Sequence, residues 1–180
     1  SSHPGTTKIL AEEAAKAATK TEMPSGFVQL IYRSSHEDGA LLVAHPAIGA
    51  SGYTGARRAG LVLKEAADKA GKPMYLELSS INPVYYLSGA LDEQCDALAD
   101  EFTGSCLMGV GQFCTNPGLV VVQTGATADA FVSGLAERFK NAAVGTMLGE
   151  GVQKNFVAGI ATLIAAGAEL VVGGEPGGGT

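Results

Sequence analysis

Residues 48–78 read IGASGYTGARRAGLVLKEAADKAGKPMYLEL, and this segment predicts the architecture of the chain. A glycine-rich strand leads through Gly55 into a helix over 56–70, where apolar residues recur at helical spacing. Gly71-Lys72-Pro73 ends that helix, and the apolar run over 74–78 predicts a second strand. A strand, a helix and a strand in this order indicate parallel strands joined by a helical crossover.

The same alternation continues on both sides of this segment. Apolar periodicity predicts helices over 5–19, 92–110, 127–141 and 151–166, and β-branched and aromatic runs predict strands over 27–32, 48–54, 83–87, 118–123 and 170–172. We expect the strand over 118–123 to be buried. Ser34, three residues before Glu37, predicts a capping box for a short helix over 39–44 that stops before Pro46. Thr127 is the expected cap of its helix.

The composition restricts the classes of function. The 180 residues are 46% hydrophobic and 17% charged, which is typical of one globular domain or two small lobes. Lys and Arg number 12 against 18 Asp and Glu, and the net charge of −6 makes nucleic acid and anionic membranes poor partners.

Neither a secretory signal nor a membrane span is predicted. The first twenty residues mix charged residues with alanines, and the apolar stretch 156–172 contains Glu169 and is interrupted by Gly159 and Gly167. Three cysteines without a Cys-x-x-Cys pair indicate neither a disulfide framework nor a zinc site. We therefore expect a cytoplasmic protein without a metal.

Cys114 is the candidate nucleophile of the chain. It lies in GVGQFCTNPG, residues 109–118, a loop between a predicted helix and a predicted strand, and loop cysteines are accessible. Cys95 and Cys106 fall within the predicted helix, where we expect them to pack as small apolar residues do. The spacing alone is equally compatible with an inert, partly buried Cys114, because reactivity requires an activated thiolate.

Glu77 puts a carboxylate into an otherwise apolar strand. A charged carboxylate is costly to bury, so the side chain must be paired, protonated or directed into a solvated cleft. A carboxylate that opens into a cleft can relay protons to a nearby thiol or water. A surface glutamate at a strand edge is an equally compatible interpretation.

Four motifs follow one another along the chain. They are Gly52-Tyr53-Thr54-Gly55 with Gly60, then Leu76-Glu77-Leu78, then Asn82-Pro83, and then Gly111-Gln112-Phe113-Cys114. In this order and spacing they resemble the aldehyde dehydrogenase superfamily. The longer runs LSSINPV at 78–84 and QFCTNPGLV at 112–120 look closest to the branch that acts on α-ketoglutaric semialdehyde and to NADP-linked fatty aldehyde dehydrogenases.

The resemblance implies NAD(P)-dependent oxidation of an aldehyde, α-ketoglutaric semialdehyde or another semialdehyde or fatty aldehyde, to the carboxylic acid. Cys114 would attack the carbonyl carbon to give a thiohemiacetal, and hydride would pass to the nicotinamide. Glu77 would then activate the water that hydrolyses the thioester, while the backbone N–H of Cys114 would help hold the oxyanion.

The resemblance also assigns the cofactor contacts, with NADP or NAD as the cofactor. Gly55, Ala56 and Gly60 would line the pyrophosphate at the start of a helix, and Leu78 would lie against the nicotinamide. Ala56 stands where the family usually has serine, so a hydroxyl donor is missing there. Arg57-Arg58 would compensate for it, or form a solvated helix face.

The implied fold is α/β in two parts. Residues 1–79 would be the C-terminal part of a Rossmann-like cofactor domain, and 80–180 the first part of the catalytic α/β domain. Family members are more than twice as long, so we expect a fragment whose exposed apolar surface favours a homo-oligomer. One alternative is a truncated, inactive piece that serves only as a folded or interaction module. Another is a thiol esterase that uses Cys114 without a dinucleotide.

Overall fold

The computed structural model of the chain describes residues 4–32, 34–175 and 177. The elements are α1 (Gly5–Lys20), α2 (His36–Ala44), β1 (Ser51–Gly55), α3 (Arg57–Lys69), β2 (Met74–Leu78), β3 (Pro83–Tyr86), α4 (Ser88–Leu107), a 3₁₀ turn (Met108–Gly111), β4 (Leu119–Val122), α5 (Ala126–Lys140) and α6 (Glu150–Ala165). They belong to two compact units, Ser1–Leu78 and Ser79–Thr180.

The first unit is built on β1 and β2, which pair in parallel from Ser51 opposite Met74 to Gly55 opposite Leu78. The connection between them is α3, so the predicted strand–helix–strand crossover is confirmed. α3 packs on both strands, and α2 packs against α3. The buried residues of α3 are Gly60 and Ala67. Because both are small, the helix can lie close to the sheet.

The second unit repeats this arrangement with β3 and β4, parallel from Pro83 opposite Leu119 to Tyr86 opposite Val122. Here α4 is the crossover, and α5 packs against α4. Leu91, Ala99 and Phe131 form the buried core of this unit. Tyr86 meets Phe131 edge-on, with ring centroids 5.1 Å apart.

The helix predicted over 92–110 is shifted and interrupted in the structure. α4 begins four residues earlier, at Ser88, and has a non-helical residue, Gln94 (φ −140°, ψ 31°), near its start. It ends at Leu107 because Gly109 and Val110 both adopt a φ of 59°, which an α-helix cannot accommodate.

Two predicted strands are wrong. Residues 27–32 and 170–172 are irregular, and the side chains of Phe27, Ile31 and Leu170 are exposed. β propensity forms a strand only where a neighbouring strand accepts its hydrogen bonds, and the two parallel pairs do not extend to these segments.

The expected caps also need correction. The capping box uses Ser35 and Asp38 instead of Ser34 and Glu37, and α2 therefore starts at His36, although it stops before Pro46 as predicted. Thr127 does not cap α5. The N-cap is Gly125, and the hydroxyl of Thr127 donates instead to Asp92 Oδ1 at 2.7 Å.

The strand predicted to be buried, β4, is covered on one face only. Val120 and Val122 pack on the core formed by α4 and α5, while Leu119 and Val121 are exposed on the other face. A parallel strand is buried on both faces only where helices cover both, and in this unit the packed helices lie on one face.

The helices at the two ends of the described chain make no core. Neither α1 nor α6 contains a buried residue, and α1 is lined by ion pairs such as Lys16–Glu13 at 2.7 Å. Among the described residues, no helix combines the length and the apolar character needed to cross a bilayer.

Candidate active site

The carboxyl ends of β1 and β2 bring together residues that the family resemblance assigns to a cofactor. Gly55, the last residue of β1, lies opposite Leu78, the last residue of β2, and Thr54 lies opposite Glu77. α3 then begins at Arg57, directly beyond this edge of the sheet. The carboxyl ends of parallel strands are where open α/β sheets bind their ligands.

α3 begins without a side-chain cap. Its N-cap is Ala56, which is extended and makes no cap bond, and the first helical bond runs from the N–H of Gly60 to the carbonyl of Ala56 at 3.1 Å. The first turn contains Arg57 and Arg58 and no acidic residue. Two cations at the positive end of a helix are unfavourable alone, so this turn suits an anion such as a pyrophosphate.

Gly60 allows close packing between α3 and the end of β2. A Cβ atom at Gly60 would collide with the side chain of Leu78 and would lie 3.1 Å from Cδ1 of Tyr53. Because glycine has no Cβ, Leu78 and Tyr53 can both lie under the first turns of α3. Gly55, Gly60 and Leu78 therefore form one contiguous group.

Glu77 lies on the other face of β2. It is exposed, as is its same-face neighbour Tyr75, whereas Met74, Leu76 and Leu78 alternate with them and are half-buried. Within its unit the carboxylate is therefore solvated, and it does not incur the cost of burying a charge.

Cys114 is exposed and lies in a tight turn of the second unit. The turn is closed by the N–H of Asn116, which donates to the carbonyl of Phe113 at 3.1 Å, so Cys114 occupies its second position. Across 4–32, 34–175 and 177, no backbone or side-chain acceptor takes the N–H of Cys114. A free thiol beside a free N–H can attack a carbonyl carbon and stabilise the resulting oxyanion.

The carbonyl of Cys114 is held by two residues that precede β3. Ser80 Oγ donates to it at 2.5 Å, and Asn82 Nδ2 donates to it at 2.8 Å. Sequence reasoning missed both contacts, although Asn82-Pro83 is one of the motifs. The detectable signal is an asparagine followed by proline at the predicted start of a strand, a position where a side-chain amide commonly bonds nearby backbone.

The other cysteines pack as expected. Cys95 lies against the Leu91–Ala99–Phe131 core. Cys106 Sγ donates to the carbonyl of Pro117 at 3.4 Å, and burial raises the pKa of this thiol, so its thiolate is disfavoured.

The structure thus gathers Gly55, Ala56, Gly60 and Leu78 at one edge of the first unit, with Glu77 on the opposite face of the same strand end. Cys114 belongs to the second unit, where Ser80 and Asn82 join it. In the described ranges, no group of three or more His, Cys, Asp or Glu side chains could hold a metal ion.

Comparisons with known proteins place this geometry in context. Alpha-ketoglutaric semialdehyde dehydrogenase 2 of Azospirillum brasilense is 40% identical over 152 residues, which are 83% of this chain and 29% of that protein. The alpha-ketoglutaric semialdehyde dehydrogenase of Acinetobacter baylyi is 35% identical over 166 residues, 91% of this chain and 31% of that protein. The chain therefore spans about a third of the length of these curated relatives.

A solved structure supports the same relationship. The NAD-dependent aldehyde dehydrogenase of Sinorhizobium meliloti superposes with a TM-score of 0.82 and 27% identity, over 97% of this chain and 35% of that one. The family model described as "Aldehyde dehydrogenase family" matches residues 3–180. With the motifs, the fold and these matches in agreement, the chain belongs to the aldehyde dehydrogenase family.

Proposed function

We propose that the chain carries the nucleophile and part of the cofactor site of an enzyme that oxidises an aldehyde to a carboxylic acid. The substrate is α-ketoglutaric semialdehyde or another semialdehyde or fatty aldehyde, and the acceptor is NADP or NAD. Support comes from the family and from two relatives that are named for α-ketoglutaric semialdehyde, as well as from a similar structure named as NAD-dependent. Residues 1–79 are assigned to the cofactor domain and 80–180 to the catalytic domain.

The exposed turn at Cys114 is the observation that carries the proposal. The thiol is accessible, the N–H of the same residue is free in the described structure, and the carbonyl is tied to Ser80 and Asn82. Of the two interpretations that the sequence left open, an inert buried thiol and a reactive one, exposure favours the second.

In the first half of the reaction, the Cys114 thiolate forms a bond to the aldehyde carbon, and the carbonyl π electrons move onto oxygen. The N–H of Cys114 donates to that oxyanion and lowers its energy. The nicotinamide, when bound, supplies the acceptor for the hydride that leaves the substrate carbon. Cys114 then carries the acyl group as a thioester.

In the second half, Glu77 accepts a proton from water while the water oxygen bonds to the thioester carbon. The carbon–sulfur bond breaks, the acid leaves, and the thiolate of Cys114 is restored. The exposed, solvated carboxylate at the end of β2 supports this role, because a general base must reach water.

The cofactor contacts are assigned to Gly55, Ala56, Gly60 and Leu78. The uncapped first turn of α3, with two arginines and no acid, supports a pyrophosphate there. Because Ala56 has no hydroxyl, the backbone N–H groups and the arginines would provide the binding. Leu78 presents an apolar side chain at the same edge, which suits the face of a nicotinamide ring.

The test uses the 180-residue chain with α-ketoglutaric semialdehyde or hexanal and with NADP or NAD. Reduced cofactor is followed by absorbance, and alkylation of each cysteine by iodoacetamide is followed by mass spectrometry. We expect little or no turnover from the chain alone, but we expect aldehyde to slow alkylation of Cys114 and not of Cys95, because a reversible adduct occupies the sulfur.

Three outcomes separate the alternatives. Turnover that survives Cys114→Ala, or an absence of aldehyde protection at Cys114, would overturn the mechanism. Hydrolysis of an activated ester through Cys114, with no dinucleotide binding in calorimetry, would favour the thiol esterase. A folded chain that shows neither aldehyde protection at Cys114 nor dinucleotide binding would favour a piece that serves only as a folded or interaction module.

A further inference from the structure

We propose that Asn82 is a positioning residue for the nucleophile, acting together with Ser80. Its side-chain amide fixes the backbone of the Cys114 turn, so that the Sγ atom and the N–H of Cys114 address the same carbonyl group. The proposal rests on the proposed function of Cys114, and it adds a residue outside the reacting groups. Asn82 touches the backbone of the nucleophile and acts through it.

The Asn82 amide makes an unusually dense set of contacts. Nδ2 donates to the carbonyl of Cys114 at 2.8 Å and to the carbonyl of Asn116 at 2.9 Å, and it lies 3.1 Å from Ser80 Oγ. Backbone carbonyls only accept hydrogen bonds, so the group that faces both of them must be the NH₂ end of the amide. The orientation of the side chain is therefore fixed by its surroundings.

These bonds hold the turn from both of its ends. The carbonyl of Cys114 belongs to the peptide that follows the nucleophile, and anchoring it fixes the ψ angle of Cys114. The N–H of Asn116, bonded to Phe113, and the carbonyl of Asn116, bonded to Asn82, close the turn on the other side. The peptide after Cys114 is therefore fixed, and the turn around Cys114 is closed. Cys114 consequently has little freedom to reorient its Cα–Cβ bond.

The backbone around Asn82 is shaped for this contact. Asn82 has a φ of +49°, a left-handed conformation that asparagine tolerates far better than most residues do. The N–H of Gly118 donates to the carbonyl of Ile81 at 2.7 Å, and a Cβ at Gly118 would stand 2.9 Å from that oxygen. The segments before β3 and β4 are therefore in direct backbone contact.

The parallel register explains why these segments meet. Pro83 lies opposite Leu119, so the residues just before each strand run side by side at the amino ends of the pair. Asn82 and the turn at Cys114 are more than thirty residues apart in sequence, and the ladder brings them together. The strand pairing sets the coarse position of the nucleophile, and the amide sets its fine orientation.

Two substitutions isolate the amide from the backbone conformation. Asn82→Gly keeps the left-handed φ and removes the donor, whereas Asn82→Asp keeps the shape and replaces the donor with an acceptor that faces two carbonyls. Asn141→Asp is the matched control, because Asn141 Nδ2 donates to the carbonyl of Glu137 at 2.8 Å in the same unit. Ser80→Ala removes one of the two donors to Cys114 and retains Asn82.

The first measurement is hydrogen exchange of the peptide that contains Phe113–Gly118. We expect exchange at Asn116 to speed up about tenfold in Asn82→Gly and Asn82→Asp, because the loss of one to two hydrogen bonds opens the turn. About threefold is expected in Ser80→Ala. Unchanged alkylation of Cys95, which packs against the Leu91–Ala99–Phe131 core, verifies the fold. Unchanged exchange in Asn82→Gly would overturn the proposal, whatever Cys114 does.

The second measurement is the concentration of α-ketoglutaric semialdehyde that half-protects Cys114 from iodoacetamide. We expect it to rise about tenfold in the two Asn82 variants, since the adduct loses an aligned N–H, and to remain unchanged in Asn141→Asp. Alkylation without aldehyde should change less than about twofold, because iodoacetamide needs only an accessible thiol. A parallel rise in the alkylation of Cys95, in the core of the unit, would show a structural role instead and overturn positioning.

The two measurements also separate this proposal from the proposed function. If aldehyde fails to protect the unmodified Cys114, the function fails, and hydrogen exchange still decides whether Asn82 holds the turn. If protection is present and unaffected by Asn82→Gly, the function stands and the positioning role is wrong.

Discussion

In the first β-α-β unit, β1-α3-β2, the residues assigned to the cofactor lie where the strands end. In the second, β3-α4-β4, the residues around Cys114 lie where the strands begin. The first edge offers backbone N–H groups and a helix terminus, and it depends on the absence of side chains at Gly55 and Gly60. The second edge depends on particular side-chain donors, Ser80 and Asn82.

The difference shows that one supersecondary motif can present two kinds of surface at the ends of its strands. The N-terminus of a helix binds an anion through backbone N–H groups and not through particular side chains, so what matters most is how closely the anion can approach the backbone. A nucleophile needs an orientation, and orientation comes from side chains that bond to its backbone. The two units also differ in packing, because among the residues that the structure describes a fully buried aromatic ring, that of Phe131, occurs in the second unit and not in the first.

The largest effect is expected for Phe131→Ala. The ring projects from α5 and is fully buried against α4 and Tyr86, and its removal should lower the free energy of unfolding of the second unit by about 3–5 kcal/mol. Because the chain has no tryptophan, hydrogen exchange resolved by peptide is the suitable measurement. Peptides of β3, α4 and β4 should lose protection and those of β1, α3 and β2 should not. Phe156→Ala, at an exposed position of α6, is the control.

A smaller effect is expected for Gly60→Ala. The added methyl group collides with Leu78 and crowds the ring of Tyr53, so the first unit should lose about 1–3 kcal/mol of unfolding free energy. Gly52→Ala is the matched control, since a Cβ at that position of β1 meets nothing within 4 Å. Equal losses of protection in the two variants would contradict the close packing of α3 on β2.

Ala56→Ser is expected to raise the free energy of unfolding, because serine gives α3 the side-chain cap that it lacks. A hydroxyl at the N-cap should stabilise α3 by about 0.5–1 kcal/mol, as the hydroxyl of Ser35 does for α2 through its bond from Asp38 N–H at 2.9 Å. The same hydroxyl is an added donor for pyrophosphate, so NADP should bind more tightly in calorimetry. Weaker binding would mean that the anion does not lie at this terminus.

The smallest effect concerns pH at the start of α2. Hydrogen bonds from the side chain and then the backbone of Ser35 lower the pKa of Asp38. A lowered pKa in the folded state means that the capping box stabilises α2 fully above the ordinary carboxyl pKa and loses this contribution as pH falls through the lowered value. The protection of α2 amides, expressed relative to their intrinsic exchange rate at each pH, should exceed that of Ser35→Ala near neutral pH, and this excess should shrink below about pH 4. α3, with no acidic cap, should show no such difference.

Much of the fold follows from local sequence patterns. β2 was predicted residue for residue, and α1 and α6 were predicted to within one residue at each end, because apolar spacing and glycine or proline boundaries are local properties. The segments 27–32 and 170–172 have the composition of strands, but in the described part of the chain no strand lies beside them to accept their hydrogen bonds. The composition of a segment does not show whether such a partner strand is present. The capping box was displaced by one residue because Ser34 and Ser35 each have an acid three positions on.

The candidate site was predictable only in part. Cys114, Glu77 and the glycines are recognisable by residue type and motif, and the structure gives each a definite place. Asn82 was visible as a motif, but its contact with Cys114 depends on the register between β3 and β4, which no local pattern specifies. The conformation of Val110, with a φ of +59° just ahead of the turn, was unpredictable for a different reason, since a β-branched residue avoids that conformation.

Both asparagines that hold the turn around Cys114 precede proline, in Asn82-Pro83 and Asn116-Pro117. Asparagine ages by deamidation when the next main-chain nitrogen attacks its side chain to form a cyclic imide, and the proline nitrogen carries no hydrogen and cannot do so. Asn141 and Asn155, followed by alanine and phenylalanine, have no such protection. In a stored sample, chemical damage should therefore accumulate at those two asparagines while the amides beside Cys114 persist.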